Sequence, residues 1–220
     1  MITVQNSNFE TINKMKRIGL AYVFLACFYC SLLADSPLTS TDIHLGYPNE
    51  PIVAAALKNP VLSKNILEYL ESSKNPVAIK IAVINAIGWN VDGNTNAETF
   101  YQYLQEKNHY KSRTDFISKA SGELIICLAY LQALGDYFNV DTALWMALCA
   151  KVKSPRSYTV NMICALIEAQ KAMDGDWCEV YELVNRVRED KTLINDMNDN
   201  AKAAIFEYMD IYKCSGESGF

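Results

Sequence analysis

Gly135-Asp136-Tyr137-Phe138-Asn139-Val140 and Gly175-Asp176-Trp177-Cys178-Glu179-Val180 both read Gly, Asp, aromatic, any, any, Val, and they begin 40 residues apart. Each lies between apolar stretches with helical spacing, so each reads as the turn of a helical hairpin. A period near 40 marks stacked helix pairs. The expected fold class is therefore all-α, with stacked antiparallel helical hairpins forming an α-α superhelix or solenoid-like domain. The Asp of each turn is expected to cap the second helix of its pair. The aromatic either wedges neighbouring pairs together or joins a strip of recognition residues, with Trp89 after Gly88 in the equivalent place of a third turn.

Outward from these turns the helical pattern continues in both directions. Residues 115–134 read as one long helix, apolar on most faces and therefore central. Val140, Ala143, Leu144, Ala147 and Leu148 define the inward face of the next helix. Tyr158 to Met173 follows, and after the second turn a helix runs from Trp177 to about Arg188. Residues 199–213 carry Ala201, Ala204, Ile205, Tyr208, Met209 and Tyr212 at i, i+3, i+4, i+7, i+8 and i+11, the spacing of a last amphipathic helix. Toward the N-terminus, helices are expected over 52–58, 61–72 and 96–107. Another opens at Asn75-Pro76 and closes at Gly88, since proline suits a first helical turn and glycine the position past a last one.

Asn75-Pro76-Val77, Ala82, Ala86, Ile87 and Gly88, followed by a helix with Ala97, Phe100 and Leu104, resemble a HEAT-type repeat over about 30 residues. In that family the first helix often begins Asp-Pro-x-Val and ends Ala-Leu-Gly, and Lys80 stands where an Arg is frequent. The later units lack the Pro-Val opening. The resemblance implies an armadillo-like stack serving as a binding surface, and it implies no active site.

Half of the 220 residues are hydrophobic, enough for a sizeable single core, and the 9 glycines and 6 prolines collect between apolar runs. The first 34 residues carry Lys14, Lys16 and Arg17 against Glu10, a net +2, so the rest of a chain at −5 overall holds −7. An acidic body without a basic aromatic patch argues against nucleic acid as a partner.

Lys14-Met15-Lys16-Arg17 precede the uncharged residues 18–33, and Ala34-Asp35-Ser36-Pro37 come next. A basic start, an apolar middle and a small residue before a polar stretch are the parts of a secretory signal peptide over residues 1–34, with Met15 an alternative start. The apolar run of 16 is shorter than the roughly 20 residues needed to span a bilayer. The expected location is extracytoplasmic, periplasmic or secreted. Two alternatives stay open: a lipid anchor on Cys27, after Phe24-Leu25-Ala26, or a membrane anchor retained at residues 18–33. Residues 35–51 read as an irregular segment covering the open end of the first helices, 52–213 as one helical domain and 214–220 as a frayed tail.

Removal of the leader leaves Cys127, Cys149, Cys164, Cys178 and Cys214, an odd set without the close spacing zinc requires. Cys127, Cys149 and Cys164 fit apolar helix faces, and Cys178 with Cys214 is the pair to test for a disulfide. Residues 89–96 are rich in Asp, Asn and Gly, but the twelfth position from Asp92 is Tyr103, so the EF-hand pattern fails and a polar loop is expected. His44 and His109 adjoin no nucleophile pattern, and no phosphate-binding or zinc-protease motif occurs.

These readings lean away from an enzyme and toward an exported, non-catalytic module that binds a protein or peptide, without cofactor or metal. Its candidate binding residues are Trp89, Tyr137, Trp177, Asp136 and Asp176. The alternative is an extracytoplasmic hydrolase whose paired carboxylates, drawn from Asp92, Asp136 and Asp176, meet in a helical groove. A third reading is a cytosolic scaffold held by an apolar N-terminal anchor.

Overall fold

The computed structural model describes residues 36–88, 95–173 and 175–214. The chain divides between Asp35 and Ser36, and the described residues all belong to the second unit. They form an all-α fold of ten α-helices: α1 (Pro51–Lys58), α2 (Lys64–Glu71), α3 (Val77–Ile87), α4 (Asn96–Asn108), α5 (Arg113–Lys119), α6 (Gly122–Gly135), α7 (Asp141–Lys153), α8 (Tyr158–Ala172), α9 (Trp177–Glu189) and α10 (Asp199–Met209). Short 3-10 helices cover Ile43–Gly46 and Asp210–Tyr212.

Three helices are apolar on nearly every side and make the centre. In α3 nine of eleven residues are buried, in α6 eleven of fourteen and in α8 eleven of fifteen. α6 packs on α3, α4, α7 and α8, and α8 packs on α6, α7 and α9. The remaining helices bury one face each. Lys80 in α3 is the one charged side chain buried among the described residues.

Capping residues explain most boundaries. Ser63, Ser112, Ser121, Ser157, Asp176 and Asn198 each accept a backbone N–H in the first turn of the helix that follows. Such a cap contributes about 1 kcal/mol by satisfying one orphan donor. Gly88 closes α3 with φ of 75°, a conformation that costs a side-chain-bearing residue strain and glycine none.

The expected helix over 115–134 is instead two helices, α5 and α6, broken at Ala120 and Ser121, which are extended. The reason is local and tertiary at once. The Ser121 hydroxyl starts α6 by accepting from Leu124 N, and the bend brings Gly122 against α7, where a Cβ would lie 2.6 Å from Ala150 O. Lys153 fastens the elbow, donating to Ser118 O and Ala120 O at 2.8 Å each. The last helix likewise ends at Met209 and tightens into 3-10 turns through Tyr212.

The segment before α1 does more than cover one end. Its 3-10 helix packs on both α3 and α10, so it joins the start of the described unit to its last helix. Asn85 of α3 holds this segment from beneath: its Oδ1 accepts from His44 N at 3.0 Å and His44 Nδ1 at 2.8 Å, while its Nδ2 donates to Thr41 O and to Tyr130 Oη of α6. Every polar atom of that half-buried amide is used, which is what makes its partial desolvation tolerable. The connection from α9 to α10 is fastened in the same manner. The Asp196 carboxylate accepts from Ser157 Oγ, Thr159 N and Thr159 Oγ1 at the start of α8, beside a parallel bridge between Ser157 and Ile194.

Candidate functional site

The two Gly-Asp-aromatic segments share their final anchor. Val140 and Val180 are both buried, 4% and 0% exposed, and each pins its turn to the core. Their other positions differ. Asp176 is the N-cap of α9 and accepts from Cys178 N at 2.9 Å. Asp136 is not the cap of α7: it follows the last turn of α6 and accepts from Asn139 N at 3.2 Å, inside the turn. The first connection is longer, so α7 starts only at Asp141, after the Val, whereas α9 starts at Trp177, before it. Both carboxylates are thereby engaged by local backbone.

The aromatic positions differ as well. Tyr137 is half-buried and packs on the core, with the Phe138 ring 4.3 Å from it and tilted by 33°. Phe138 is 82% exposed. Trp177 is 60% exposed and rests on Tyr212 at 5.6 Å between centroids. Below it, Cys178 is joined to Cys214 in a disulfide spanning 36 residues, which ties the start of α9 to the end of the described chain. Trp89 and Asp92 lie outside the described residues, as do Cys27, the apolar residues 18–33 and the proposed cleavage at Ala34.

Both turns border the last turn of α8. Gln170 and Lys171 line a concavity together with Tyr137, Phe138, Asn139, Val140 and Asp141. Lys171 also lines the adjoining groove with Leu144, Gly175, Asp176, Glu179 and Leu183. Lys171 Nζ is 2.6 Å from Asp141 Oδ1, an exposed ion pair that sits between the two hollows. Gln170 Oε1 is buried at this site without a hydrogen-bond partner. A buried acceptor left unpaired is costly.

This edge combines aromatic, amide and charged groups. Aromatic surface supplies apolar area and the amide oxygen supplies direction, while the ion pair and Asp176, Glu179 and Asn139 give a polar margin. Neither histidine lines it. Among the described residues no group of three or more His, Cys, Asp or Glu is placed to hold a metal ion. The thiols of Cys127 and Cys164 are pushed up to about 12 and about 11 by burial, so both remain protonated in neutral solution. No helix among the described residues is long and apolar enough to cross a membrane.

Phe138, Gln170 and Lys171 were not among the residues singled out from sequence. Phe138 occupies an unconstrained position of the repeated motif, and only its neighbour Tyr137 matched. Gln170 and Lys171 belong to a different helix and join the site through packing alone. The inward face expected for α7 also needs correction: Ala143, Met146, Ala147 and Ala150 are buried, whereas Leu148 is 44% exposed. Three alanines let α7 approach α6 closely, and Trp145, Leu148 and Val152 point away. Comparison with protein-family models, with curated proteins and with solved structures finds no match to this chain.

Proposed function

We propose that the protein is an exported, non-catalytic module that binds a protein or peptide at the edge formed by its two repeated turns. The observation that carries this reading is the concavity in which the exposed Phe138 and half-buried Tyr137 stand with Gln170 and Lys171. A polypeptide offers apolar side chains for the exposed ring and backbone N–H and C=O groups for the polar margin. Lys171 and Asp141 at the margin would orient polar groups of the same ligand without contributing much affinity, as exposed ion pairs do.

Site-specific photo-crosslinking tests this in the protein's native cells, with a benzophenone amino acid placed at Phe138. The expected result is a discrete adduct whose mass spectrum identifies a polypeptide, and which Gln170→Leu weakens. Absence of any adduct from position 138, with the variant folded and correctly processed, overturns the reading. So does a hydrolytic activity that disappears in Asp136→Asn or Asp176→Asn while circular dichroism is unchanged.

A further inference from the structure

The groove beside the second repeated turn carries more negative charge than its lining balances. Leu144, Ala172 and Leu183 give it an apolar floor, and Glu168, Asp176 and Glu179 stand along a volume of about 520 Å³. Asp176 and Glu179 also line a second hollow of about 400 Å³, which continues past Glu182 as far as Arg186. These α9 positions recur at i, i+3, i+6 and i+10 and share one side of the helix. The two hollows therefore run on as one depression along about 15 Å of α9.

Four carboxylates face two cations there. Lys171 is already taken by Asp141 at 2.6 Å, and Arg186 stands where the acidic run stops. Among the described residues, Glu168, Asp176, Glu179 and Glu182 enter no ion pair. Elsewhere Glu71, Glu98, Asp115 and Asp210 are each held by a Lys or Arg at 2.9, 2.6, 2.7 and 2.6 Å. The four do not converge on a point either, since among the described residues no group of three is placed to hold a metal ion. Negative charge spread along an apolar floor is complementary to cations carried at intervals on an apolar chain, and it repels phosphate backbones and anionic lipid. An extended polypeptide rises about 3.3 Å per residue, so roughly four or five residues span the depression. Phe138 and Trp177, both exposed at this edge, add ring faces on which a guanidinium or ammonium can rest.

We propose that the ligand of this edge is a cationic polypeptide segment. Its Arg or Lys side chains are set against Asp176, Glu179 and Glu182, and the apolar side chains between them lie on Leu144 and Leu183. This rests on the peptide-binding reading and names the class of partner it takes.

Fluorescence anisotropy tests the assignment on the purified protein, with short labelled peptides in which Arg, Gln or Glu alternates with Leu. The Arg peptide is expected to bind saturably, about tenfold or more tighter than the Gln peptide, and to weaken as salt is raised. Glu179→Gln with Glu182→Gln should weaken it about five- to tenfold. Glu106→Gln with Glu207→Gln removes the same charge from exposed positions outside the groove and should leave binding unchanged. Equal affinity for the Arg and Gln peptides overturns the inference, as does tighter binding of the Glu peptide. An equal loss in the two double variants, both folded by circular dichroism, would assign the attraction to the net charge of the body and overturn it too. So would displacement of the Arg peptide by calcium chloride but not by sodium chloride of matched ionic strength, because the carboxylates would then serve a divalent ion. A polypeptide adduct at position 138 together with no preference among the peptides leaves the binding reading in place and overturns this inference alone.

Discussion

Gly46 stands against the backbone of Ala201, so close that a Cβ built on the glycine would lie 2.5 Å from Ala201 N and 2.6 Å from its Cα. These positions are 155 apart in the sequence, yet the start and finish of the described unit meet here. Asn198 completes the junction: it caps α10 through Ala201 N, donates from Nδ2 to Gly46 O, and gives its own N–H to Tyr47 Oη at 3.2 Å. Gly46→Ala should therefore destabilise by about 1–3 kcal/mol through overpacking against backbone, which cannot swing aside. Urea unfolding measures it, and a midpoint equal to that of the wild type would show that α10 is not held in this register.

Asn85 is the second junction, and its energetics follow from its completeness. Asn85→Ala leaves the buried Tyr130 hydroxyl, the carbonyl of buried Thr41 and the half-buried His44 N–H without their partner. A loss of about 2–4 kcal/mol is expected. Tyr130→Phe removes only one of those bonds and should cost about 1 kcal/mol. In a double-mutant cycle the two changes should be clearly non-additive, because the hydroxyl has already lost its partner in the first variant.

The helices themselves were legible because their signals are local. Apolar spacing, Pro76 at a helix start and Gly88 after α3 act within a few residues of where they stand. Three features were not legible, and the first depends on a distant partner. The break at Ala120 and Ser121 is stabilised by α7 pressing on Gly122, which no window of sequence contains. The repeated Asp takes two roles since the spacer to the next helix differs, although the motif does not. At Leu148 the periodicity was correctly helical but its inward direction was misjudged, because a helix apolar on both sides carries no sign of which side is the core. Of the candidate site, Tyr137 and Trp177 were readable from the repeat, and Gln170 and Lys171 were not.

The elbow between α5 and α6 gives a prediction of its own. Gly122→Ala would place a methyl group 2.4 Å from Ser154 Oγ and 2.6 Å from Ala150 O. The serine can rotate but the carbonyl cannot, so α7 must move outward and a loss of about 1–3 kcal/mol is expected. Ser154→Gly should not rescue it. If that second change did restore the urea midpoint, the side chain and not the backbone of α7 would be the obstacle.

Reduction of the Cys178–Cys214 bridge should loosen the unfolded chain more than the folded one. A loop closed over 36 residues restricts the denatured ensemble by about 3–4 kcal/mol in the chain-entropy account. Cys214→Ser is expected to lower stability by up to that amount. Its near neighbours Tyr208 and Tyr212 pack independently of it, T-shaped at 5.5 Å, so the α10 fold should persist. Helical circular dichroism unchanged at low temperature, with an earlier thermal midpoint, is the expected pair of results; equal midpoints would show that the bridge constrains nothing.

Alkaline pH should destabilise the protein through its interior. Burial raises Cys164 to about 11, Cys127 to about 12 and the Tyr158 hydroxyl to about 12, from ordinary values of 9.0 for a thiol and 10.0 for a phenol. Between the ordinary and the raised values the unfolded chain releases protons that the folded chain retains. The unfolded state then binds fewer protons, and stability must fall as pH rises. These contributions are intact below pH 9.0 and decline from there through about 11 to 12. Urea midpoints measured across that window should drop steadily, and the Cys127→Ala, Cys164→Ala double variant, though less stable at neutral pH, should show a shallower slope. An equal slope in that variant would assign the alkaline loss to the tyrosines and surface lysines and remove the thiols from the account.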